Sequence, residues 1–582
     1  MNRYTNERNI QMLIALIKER GIKRIIVNPG TMNMSFVASI QNDDYFETYS
    51  CVDERSACYM ACGMAAETQE PVVLTCTGAT ASRNYMPGMT EAFYRKLPIL
   101  AVTCTPHLGN IGHNVPQMID RRKELNDTYM YSTYIQPIKQ PDDEWYDNVE
   151  INKALIMLRD KKCGPVHINL GTELTKVFNV NELPAFRTIN KYGYTDKLPE
   201  IKNYNKIGIF IGNHSQINDR LEKSIDEFCE KYNSVVICDH TSNYKGKYGV
   251  LLNILCDQEQ YRSENCNFDL LIHLGNISGA YMQITPDEVW RVNPDGEIRD
   301  TFKKLKNVFE MEEDYFFKKY NEMSNKRSNL SFYKNLNSEI CELRKLAKEK
   351  DLPFSNIYTA SKLVEKIPPN SVIHLAILNT LRSWNYFADK SEHDYYCNTG
   401  GFGIDGMMST MIGASLVNKN KIFYGIVGDL AFFYDLNSLG NRHIGNNLRI
   451  LLVNNGCGTE FHNYSHPANV IGQNEVSRCI AADGHFGNKS RELVKNYAEN
   501  LGFEYISARN KEEFDAQLGH FCSKEKLEKP IIFEIFTDSK EESDALYQIR
   551  NLKTSMSGTI KKGLKKALSQ VTKNKIRKFI RK

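Results

Sequence analysis

Short apolar runs alternate with longer amphipathic stretches along most of this 582-residue chain. The first runs are RIIVNPG, PVVLTCTG, LPILAVT and GPVHINL, and each ends near Gly, Thr or Asn. Runs that are apolar throughout are typical of parallel strands buried on both faces, and the stretches between them have the helical period. The pattern therefore predicts an α/β fold built from doubly wound parallel sheets.

The same alternation starts again twice, which predicts three domains in series over residues 1–185, 200–335 and 350–545. A polar link, NKYGYTDKLPEIKN, follows the first domain, and a charged helical stretch over about 310–350 precedes the third. Polar residues collect at the predicted strand ends of the first and third domains. We therefore expect the chemistry there, and a scaffold or substrate-side role for the second domain.

Composition and cysteine usage indicate a cytoplasmic globular protein. Of the residues, 41% are hydrophobic and 25% are charged, and no run of eighteen apolar residues occurs. The first residues form an amphipathic helix followed by a strand, which is not the pattern of a signal peptide. The 15 cysteines are scattered without a CxxC motif, which favours buried free thiols over disulfides or a zinc site.

The net charge of +4 comes from the C-terminal end. Residues 561–582 contain ten Lys or Arg and no acid, so the rest of the chain is acidic overall. Residues 546–582 form a basic tail with Ile560, Leu564, Leu568 and Val571 at helical spacing. Such a tail either binds an anionic membrane surface, at the inner face of the membrane, or is a disordered solubilising segment. No aromatic-rich or motif-bearing domain favours nucleic acid.

The stretch over residues 428–458 predicts a strand, a sharp turn, a helix and a second strand. Asp429 follows the first strand, and Asn454 and Asn455 end the second. Carboxyl ends of adjacent parallel strands lie side by side, so these side chains should converge. Their oxygens suit Mg2+ with a phosphate completing the coordination. The alternative is an ordinary βαβ unit.

A second candidate lies in SCVDERSACYMACGMAAET, where Glu54 begins a helix rich in Ala, Gly and Met. Small residues allow close packing against another helix, and an acid at such a buried seam would have a raised pKa. The alternative is that the Asp-Glu pair only complements the helix dipole.

Together, the glutamate motif, the GD and NN motifs and the three αβ domains resemble thiamine-diphosphate (ThDP) enzymes of the pyruvate decarboxylase and acetolactate synthase type. The similarity covers about residues 5–545. The segments VDERSA, NTGGFGIDGMMST and GDLAFFYDLNSL resemble most closely the 2-succinyl-5-enolpyruvyl-6-hydroxy-3-cyclohexene-1-carboxylate (SEPHCHC) synthase family of menaquinone biosynthesis. Between GDL and NN lie 23 residues, at the short end of the range in ThDP enzymes.

The resemblance implies a pyrimidine-binding, a central and a diphosphate-binding domain, with ThDP and Mg2+ as cofactors. Glu54 would hydrogen-bond N1′ of the cofactor pyrimidine and so promote loss of the thiazolium proton. Because Glu54 and Asp429 lie in different domains, it also implies a homodimer or homotetramer with active sites at the dimer interface.

Further contacts are implied by the same resemblance. The metal ligands would be Asp429, Asn455 and the Cys457 carbonyl. Ile404 would be the wedge that bends the cofactor, with the backbone of Phe402 beside its amino group. The remaining cofactor contacts would be Asn379, Thr380, Gly403, Leu430 and Ala431.

On the substrate side the chain departs from the SEPHCHC synthase pattern, because several of that family's arginines are absent. Gln117 would orient the acceptor or an intermediate. Glu460 would be a proton donor or a hydrogen-bond acceptor, unless it faces solvent. Each lost charge-assisted pair to a carboxylate costs about 1.5–3 kcal/mol. The other substrate-side positions are Thr31, Met32, His113, Arg382, Thr399 and Phe461, of which Met32 and Thr399 replace family arginines.

We therefore predict a ThDP- and Mg2+-dependent enzyme that decarboxylates a 2-oxo acid and ligates the product to an acceptor, with a substrate pair other than 2-oxoglutarate and isochorismate. One alternative is SEPHCHC synthase itself, with relocated cations. The others are a simple 2-oxo acid decarboxylase and a non-catalytic ThDP-fold scaffold tethered by its tail.

Overall fold

A computed structural model of the chain describes residues 3–161, 163–201, 204–214, 217–280, 282–388, 393–484 and 490–554. Most of the predicted basic tail, residues 555–582, lies outside the described residues. Within the described part of the chain, no helix is both long and apolar enough to cross a membrane.

The described residues contain nineteen strands, most of them short. The strands are β1 Arg24–Val27, β2 Glu47–Ser50, β3 Val72–Thr77, β4 Ile99–Thr105, β5 Tyr131–Ile135, β6 Val166–Gly171, β7 Asn190–Tyr192, β8 Ile207–Ile211, β9 Ser234–Cys238, β10 Gly249–Leu251, β11 Asn267–Leu274, β12 Thr285–Val292, β13 Leu305–Phe309, β14 Val372–Leu375, β15 Asp394–Tyr396, β16 Phe423–Gly428, β17 Leu448–Asn454, β18 Glu504–Ala508 and β19 Ile531–Phe536.

Eighteen α-helices occur in the same part of the chain. They are α1 Arg8–Glu19, α2 Met34–Ile40, α3 Glu54–Thr68, α4 Ala79–Asn84, α5 Met86–Arg95, α6 Pro141–Met157, α7 Asp219–Tyr232, α8 Asn253–Cys256, α9 Glu313–Met323, α10 Ser331–Lys348, α11 Asn356–Leu363, α12 Asn379–Trp384, α13 Met407–Val417, α14 Asp429–Tyr434, α15 Gln473–Glu475, α16 Leu493–Asn500, α17 Lys511–Phe521 and α18 Ser539–Arg550.

Parallel sheets with helices between their strands confirm the predicted α/β class. The first sheet has the order β2-β1-β3-β4-β6-β5 and the last has the order β15-β14-β16-β17-β19-β18. Counted from the first strand of each, these two orders are identical. Strands β10-β9-β8-β11-β12 form the core of the middle sheet, with the order 3-2-1-4-5 of a doubly wound fold.

The central strands are buried on both faces, as their unbroken apolar runs predict. Every residue of β4, β6 and β17 is buried. On one side of the first sheet, α3 and α5 pack against β3 and β4 to form a hydrophobic core. Small residues of α3, such as Ala57, Ala61 and Ala65, belong to this core. Met408 and Met411 of α13 pack with β16 and β17 in the core of the last sheet.

Contacts divide the chain into two compact units. The first comprises Met1–Leu198 and Asp295–Glu310, and the second comprises Pro199–Pro294 and Met311–Lys582. The predicted polar link contains a short strand, β7, that pairs in parallel with β13 inside the first unit. Periodicity missed this strand because it has only three residues. The charged stretch at 310–350 is helical, as predicted, and consists of two helices, α9 and α10.

Candidate functional site

In the second unit, the polar residues meet where the order of the last sheet reverses. Strand β14 pairs with β15 on one side and with β16 on the other, and the carboxyl ends of β14 and β16 lie next to each other. Ligands of open α/β sheets bind at such a switch point. Asn379 follows β14, Asp429 follows β16, and Asn455 follows the next strand, β17.

Asp429 begins helix α14 and is held by the backbone around it. Its carboxylate accepts hydrogen bonds from the amide of Leu430 at 2.7 Å and from the amide of Gly456 at 2.6 Å. Only 5% of the residue is exposed. Burial raises the pKa of Asp429 to about 6, although the two amides oppose that shift. A carboxylate in this environment is stabilised by a bound cation.

The amide oxygen of Asn455 is the clearest sign of a missing ligand. Asn455 Oδ1 is buried and has no hydrogen-bond partner among the described residues. Buried polar atoms are usually paired, so an orphan beside a buried carboxylate marks a place for a ligand. An amide oxygen and a carboxylate are suitable Mg2+ ligands. The residues present therefore fit the predicted metal.

Glu542 lies behind this corner and was missed by the sequence analysis. Its carboxylate accepts from the Asn356 amide at 3.0 Å and from the Thr537 hydroxyl at 2.8 Å. Burial raises its pKa to about 7, opposed by Thr537, Asn356 and the side chain of Asn455. The side chain of Asn455 is thus close enough to Glu542 to lower the pKa of its carboxyl group. No local signal indicates this proximity, because Glu542 is one of several acids in SKEESD.

Cys457, the third predicted metal ligand, lies in the same loop. Its carbonyl accepts from the Thr459 amide at 3.0 Å. Its side chain is buried, and burial raises the thiol pKa to about 12. The Cys457 thiol lies within 4.8 Å of ligand atoms of His462 and Asp483, and His462 also bonds to Gln473 at 2.5 Å. These contacts fix the loop that carries the carbonyl.

The glycine-rich segment before α13 faces open space. A Cβ built on Gly400 or Gly401 would meet no other atom of the chain within 4 Å, and the same holds for Gly428. Packing inside the chain therefore does not require glycine there, and the space is available to a ligand. Ile404, the predicted wedge, is partly buried against the core of the last sheet. Phe402 has a positive φ of 55°.

Two loops beside the metal corner are joined by an ion pair that sequence analysis did not foresee. Arg382 of α12 donates to Glu460 through both terminal nitrogens, at 2.7 and 3.0 Å. Asn379 donates to the Thr459 hydroxyl at 2.9 Å. The structure thus brings together the predicted residues Asn379, Arg382 and Glu460. Both carboxylate oxygens of Glu460 already accept from Arg382, and each keeps a lone pair that could accept a further hydrogen bond.

Other predicted positions of the second unit lie deeper. Thr380 and Thr399 are each 3% exposed. The Thr399 methyl lies 3.5 Å from where a Cβ on Gly279 would be, so Thr399 packs against the chain itself. Phe461 forms an edge-to-face contact with His466, with ring centroids 5.3 Å apart.

In the first unit, Glu54 is the first residue of α3. The helix is capped by Asp53, which accepts from the Arg55 amide at 3.0 Å and from the Ser56 hydroxyl at 2.8 Å. Asn84 of α4 donates to Glu54 Oε2 at 3.0 Å. Glu54 is only half-buried within one chain. Glu54 is therefore less buried in this chain than its sequence context predicts.

Apolar side chains are exposed around Glu54. Val52 is 79% exposed, Tyr59 48% and Met60 41%. Tyr59 and Met60 lie on the face of α3 opposite the buried Ala57 and Ala61. Exposed apolar groups that lie together commonly mark a protein interface.

The loop after β1 has one position where only glycine fits. A Cβ on Gly30 would lie 2.1 Å from a methyl carbon of Thr77, the last residue of β3. Thr31 is exposed, whereas Met32 packs against the core of the first unit. His113 and Gln117 lie exposed on the loop after β4, and Gln117 has a positive φ of 64°.

Comparison with known proteins shows which families the chain is similar to. Residues 9–124 match the family model described as "Thiamine pyrophosphate enzyme, N-terminal TPP binding domain". The chain is 28% identical over 561 residues to SEPHCHC synthase of Bacteroides thetaiotaomicron, with 93% of this chain and 98% of the relative covered. It is 26% identical to SEPHCHC synthase of Christiangramia forsetii over 595 residues, with coverage of 93% and 98%.

A solved structure, the ThDP-dependent 4-hydroxybenzoylformate decarboxylase of Rhodococcus jostii, aligns with 91% of this chain and 99% of its own. The TM-score is 0.40 and the identity is 14%. At that level the alignment adds nothing to the strand orders given above.

Proposed function

We propose that this chain, which is a thiamine-diphosphate-dependent enzyme, decarboxylates a 2-oxo acid and joins the remaining acyl group to a second substrate. The observation that carries the proposal is the corner formed by Asp429 and Asn455 at the switch point of the last sheet. A buried carboxylate and an orphaned amide oxygen are suited to Mg2+ and, through it, to a diphosphate.

Each part of the chain has a distinct task in this reaction. When bound, ThDP would supply a nucleophilic carbon and an electron sink for decarboxylation of a 2-oxo acid. Asp429 and Asn455 hold the metal, and Glu542 orients Asn455. Glu54 holds a proton at the pyrimidine ring, with Asn84 fixing its carboxylate. We also propose a homodimer, in which a second copy covers the exposed face of α3 beside Glu54.

The relatives favour a specific version of this reaction. The proteins that cover nearly the whole chain bear the name SEPHCHC synthase, and this supports that activity as the leading candidate for the substrate pair. One structural observation favours a different pair. Met32 packs into the core, Thr399 is buried, and Arg382 already binds Glu460. Fewer cations then remain for substrates with several carboxylates.

A substrate panel separates these candidates. Purified protein with ThDP and Mg2+ is incubated with 2-oxo acids, including 2-oxoglutarate, with and without isochorismate or simple aldehydes. Released CO2 and the products are measured by mass spectrometry. If 2-oxoglutarate and isochorismate react fastest and give SEPHCHC, the protein has SEPHCHC synthase activity. The small number of free cations would then not be evidence for a different substrate pair. A preference for another substrate pair would indicate a carboligase with different substrates. Release of CO2 without any carboligation product would indicate a simple decarboxylase. Absence of CO2 with every acid would refute the proposal.

A further inference from the structure

The ion pair between Arg382 and Glu460 ties together two loops that flank the metal corner. Arg382 lies on α12, which follows β14, and Glu460 lies in the short helical turn Thr459–His462 after β17. The guanidinium and the carboxylate face each other with two parallel contacts, at 2.7 and 3.0 Å. Such bidentate pairs fix both side chains in one geometry.

Two asparagines support the pair from either side. Asn379 Oδ1 accepts from Arg382 at 3.1 Å. Asn463 donates to Glu460 Oε2 at 3.4 Å and to Asn379 Oδ1 at 3.5 Å. The orientation of both charged groups is therefore set before any substrate arrives.

The Arg382–Glu460 pair is largely buried but still partly accessible to solvent. The side chain of Arg382 is 13% exposed and that of Glu460 is 20% exposed, so a ligand can reach both while bulk water is largely excluded. Burial opposes the charge on Arg382, and Glu460 outweighs that effect and raises the pKa of the guanidinium. Breaking the pair would leave a poorly solvated charge on either side, which is costly.

This state of charge determines which substrate groups fit. A substrate carboxylate could bind Arg382 only by displacing Glu460 or by lying beside that like charge. A hydroxyl group can instead donate to Glu460, and a neighbouring hydroxyl or carbonyl oxygen can accept from Arg382, without breaking the pair. Both partners then gain a contact and neither loses one.

We propose that the Arg382–Glu460 pair is a specificity determinant that selects an uncharged substrate group carrying neighbouring hydroxyl or carbonyl oxygens and rejects a carboxylate at that place. The proposal rests on the proposed function and deepens it, because it names the chemical class of the group bound beside the metal corner. Loss of the Glu460 charge should leave the Arg382 guanidinium without its anionic partner and so able to bind a substrate carboxylate.

The test compares wild type with Glu460→Gln on two matched substrate pairs. The donors 2-oxoglutarate and 5-hydroxy-2-oxopentanoate have the same carbon skeleton and differ only in a carboxylate against a hydroxymethyl group, and the acceptors glyoxylate and glycolaldehyde differ in the same way. Within each substrate pair we compare kcat/KM for the carboxylate substrate with kcat/KM for the hydroxyl substrate. We expect Glu460→Gln to raise the ratio of the first to the second by about tenfold or more in one of the two substrate pairs. That is the magnitude expected for one charge-assisted hydrogen bond. Glu475→Gln, which removes a partner of Arg478 in an exposed pair, is the control and should shift neither ratio.

A purely structural pair would give a different result. Glu460→Gln would then lower the kcat/KM of all four substrates together and leave both ratios unchanged, and this outcome would overturn the proposal. A second readout does not depend on turnover. Calorimetric titration of 2-oxoglutarate, 5-hydroxy-2-oxopentanoate and the two aldehydes should show the same change of preference on Glu460→Gln. If wild type released no CO2 from any acid, the proposed function would fail while the titration still tested the pair.

Discussion

The proposed metal site is the corner formed by Asp429 and Asn455, two residues whose surroundings leave them incompletely satisfied. Asp429 is a buried carboxylate bonded only to backbone amides among the contacts described above, and Asn455 has an unpaired oxygen. Replacing either side chain should remove a ligand without disturbing the β16 and β17 strands that carry them. The site can therefore be probed residue by residue.

Asn455→Ala should weaken Mg2+-dependent ThDP binding by at least about tenfold, because one oxygen ligand is lost. Isothermal titration calorimetry with ThDP at fixed Mg2+ measures the effect. Asn446→Ala, on the exposed loop before β17, is the matched control and should bind as wild type does. Equal affinities of the two variants would argue against Asn455 as a ligand.

Asp147 allows a prediction about pH that is independent of the site. It is fully buried in α6, and burial raises its pKa to about 8, assisted by the nearby Asp143 and Glu150. An unfolded Asp has a pKa of about 4. Between these values the folded chain keeps a proton that the unfolded chain releases, so stability from this group is lost as pH rises through that window.

Asp147→Asn should therefore raise the free energy of unfolding at pH 8 by about 1–3 kcal/mol and change it little at pH 4. Urea unfolding at both pH values, followed by circular dichroism, measures the difference. Asp44→Asn, an exposed residue of the same unit, should show no such pH-dependent gain. An equal gain at both pH values would mean that ionisation of Asp147 is not the cause.

At the residue scale, the sequence indicated where Asp429 and Asn455 lie better than it indicated which residues contact them. Asp429 and Asn455 follow apolar strands, and that position is visible in a linear pattern. The pairing of Arg382 with Glu460 joins positions 78 residues apart, and no local spacing indicates it. The same holds for Glu542 behind Asn455 and for Asn84 beside Glu54, because both contacts depend on how helices settle against the sheets.

Among the elements, helix α3 has the most direct link to the chemistry, because Glu54 is its first residue. Its position depends on the cap that Asp53 provides to the first turn. Asp53→Ala should lower the stability of the first turn of α3, because the Arg55 amide and the Ser56 hydroxyl lose their acceptor. Hydrogen exchange of the first-turn amides by mass spectrometry measures the local effect. Asp53→Ser, which keeps a capping oxygen, should retain most of the protection, and equal loss in both variants would contradict the cap.

The strands and their parallel direction could be predicted because strands buried on both faces form unbroken apolar runs. Two features could not be predicted in this way, namely the short strand β7 and the division of residues 310–350 into α9 and α10. Three residues are too few for a periodic signal, and the break between the helices falls in a polar segment that is compatible with a continuous helix.

For the whole molecule, the exposed apolar face of α3 predicts assembly. Tyr59 and Met60 of α3 and Val52 just before it are exposed, and Glu54, the first residue of α3, is only half-buried. A second copy covering this face would bury all of them and complete the environment that a catalytic carboxylate needs.

Met60→Glu should therefore convert a dimer into monomers and abolish turnover with it, because a charge at an apolar contact is costly. Analytical ultracentrifugation gives the mass of both forms. The control is Tyr194→Glu, which places the same charge at a different exposed apolar residue of the first unit. This variant should remain a dimer. A Met60→Glu protein that stays dimeric and active would place the interface elsewhere.

The central claim is that Glu54 activates ThDP for decarboxylation of a 2-oxo acid. The most direct test is the rate of CO2 release by the holoenzyme with its best acid, for wild type, Glu54→Gln and the exposed control Glu67→Gln. We predict that Glu54→Gln lowers the rate by about hundredfold or more while calorimetry still detects bound ThDP, and that Glu67→Gln is unchanged. Undiminished CO2 release by Glu54→Gln would contradict the claim.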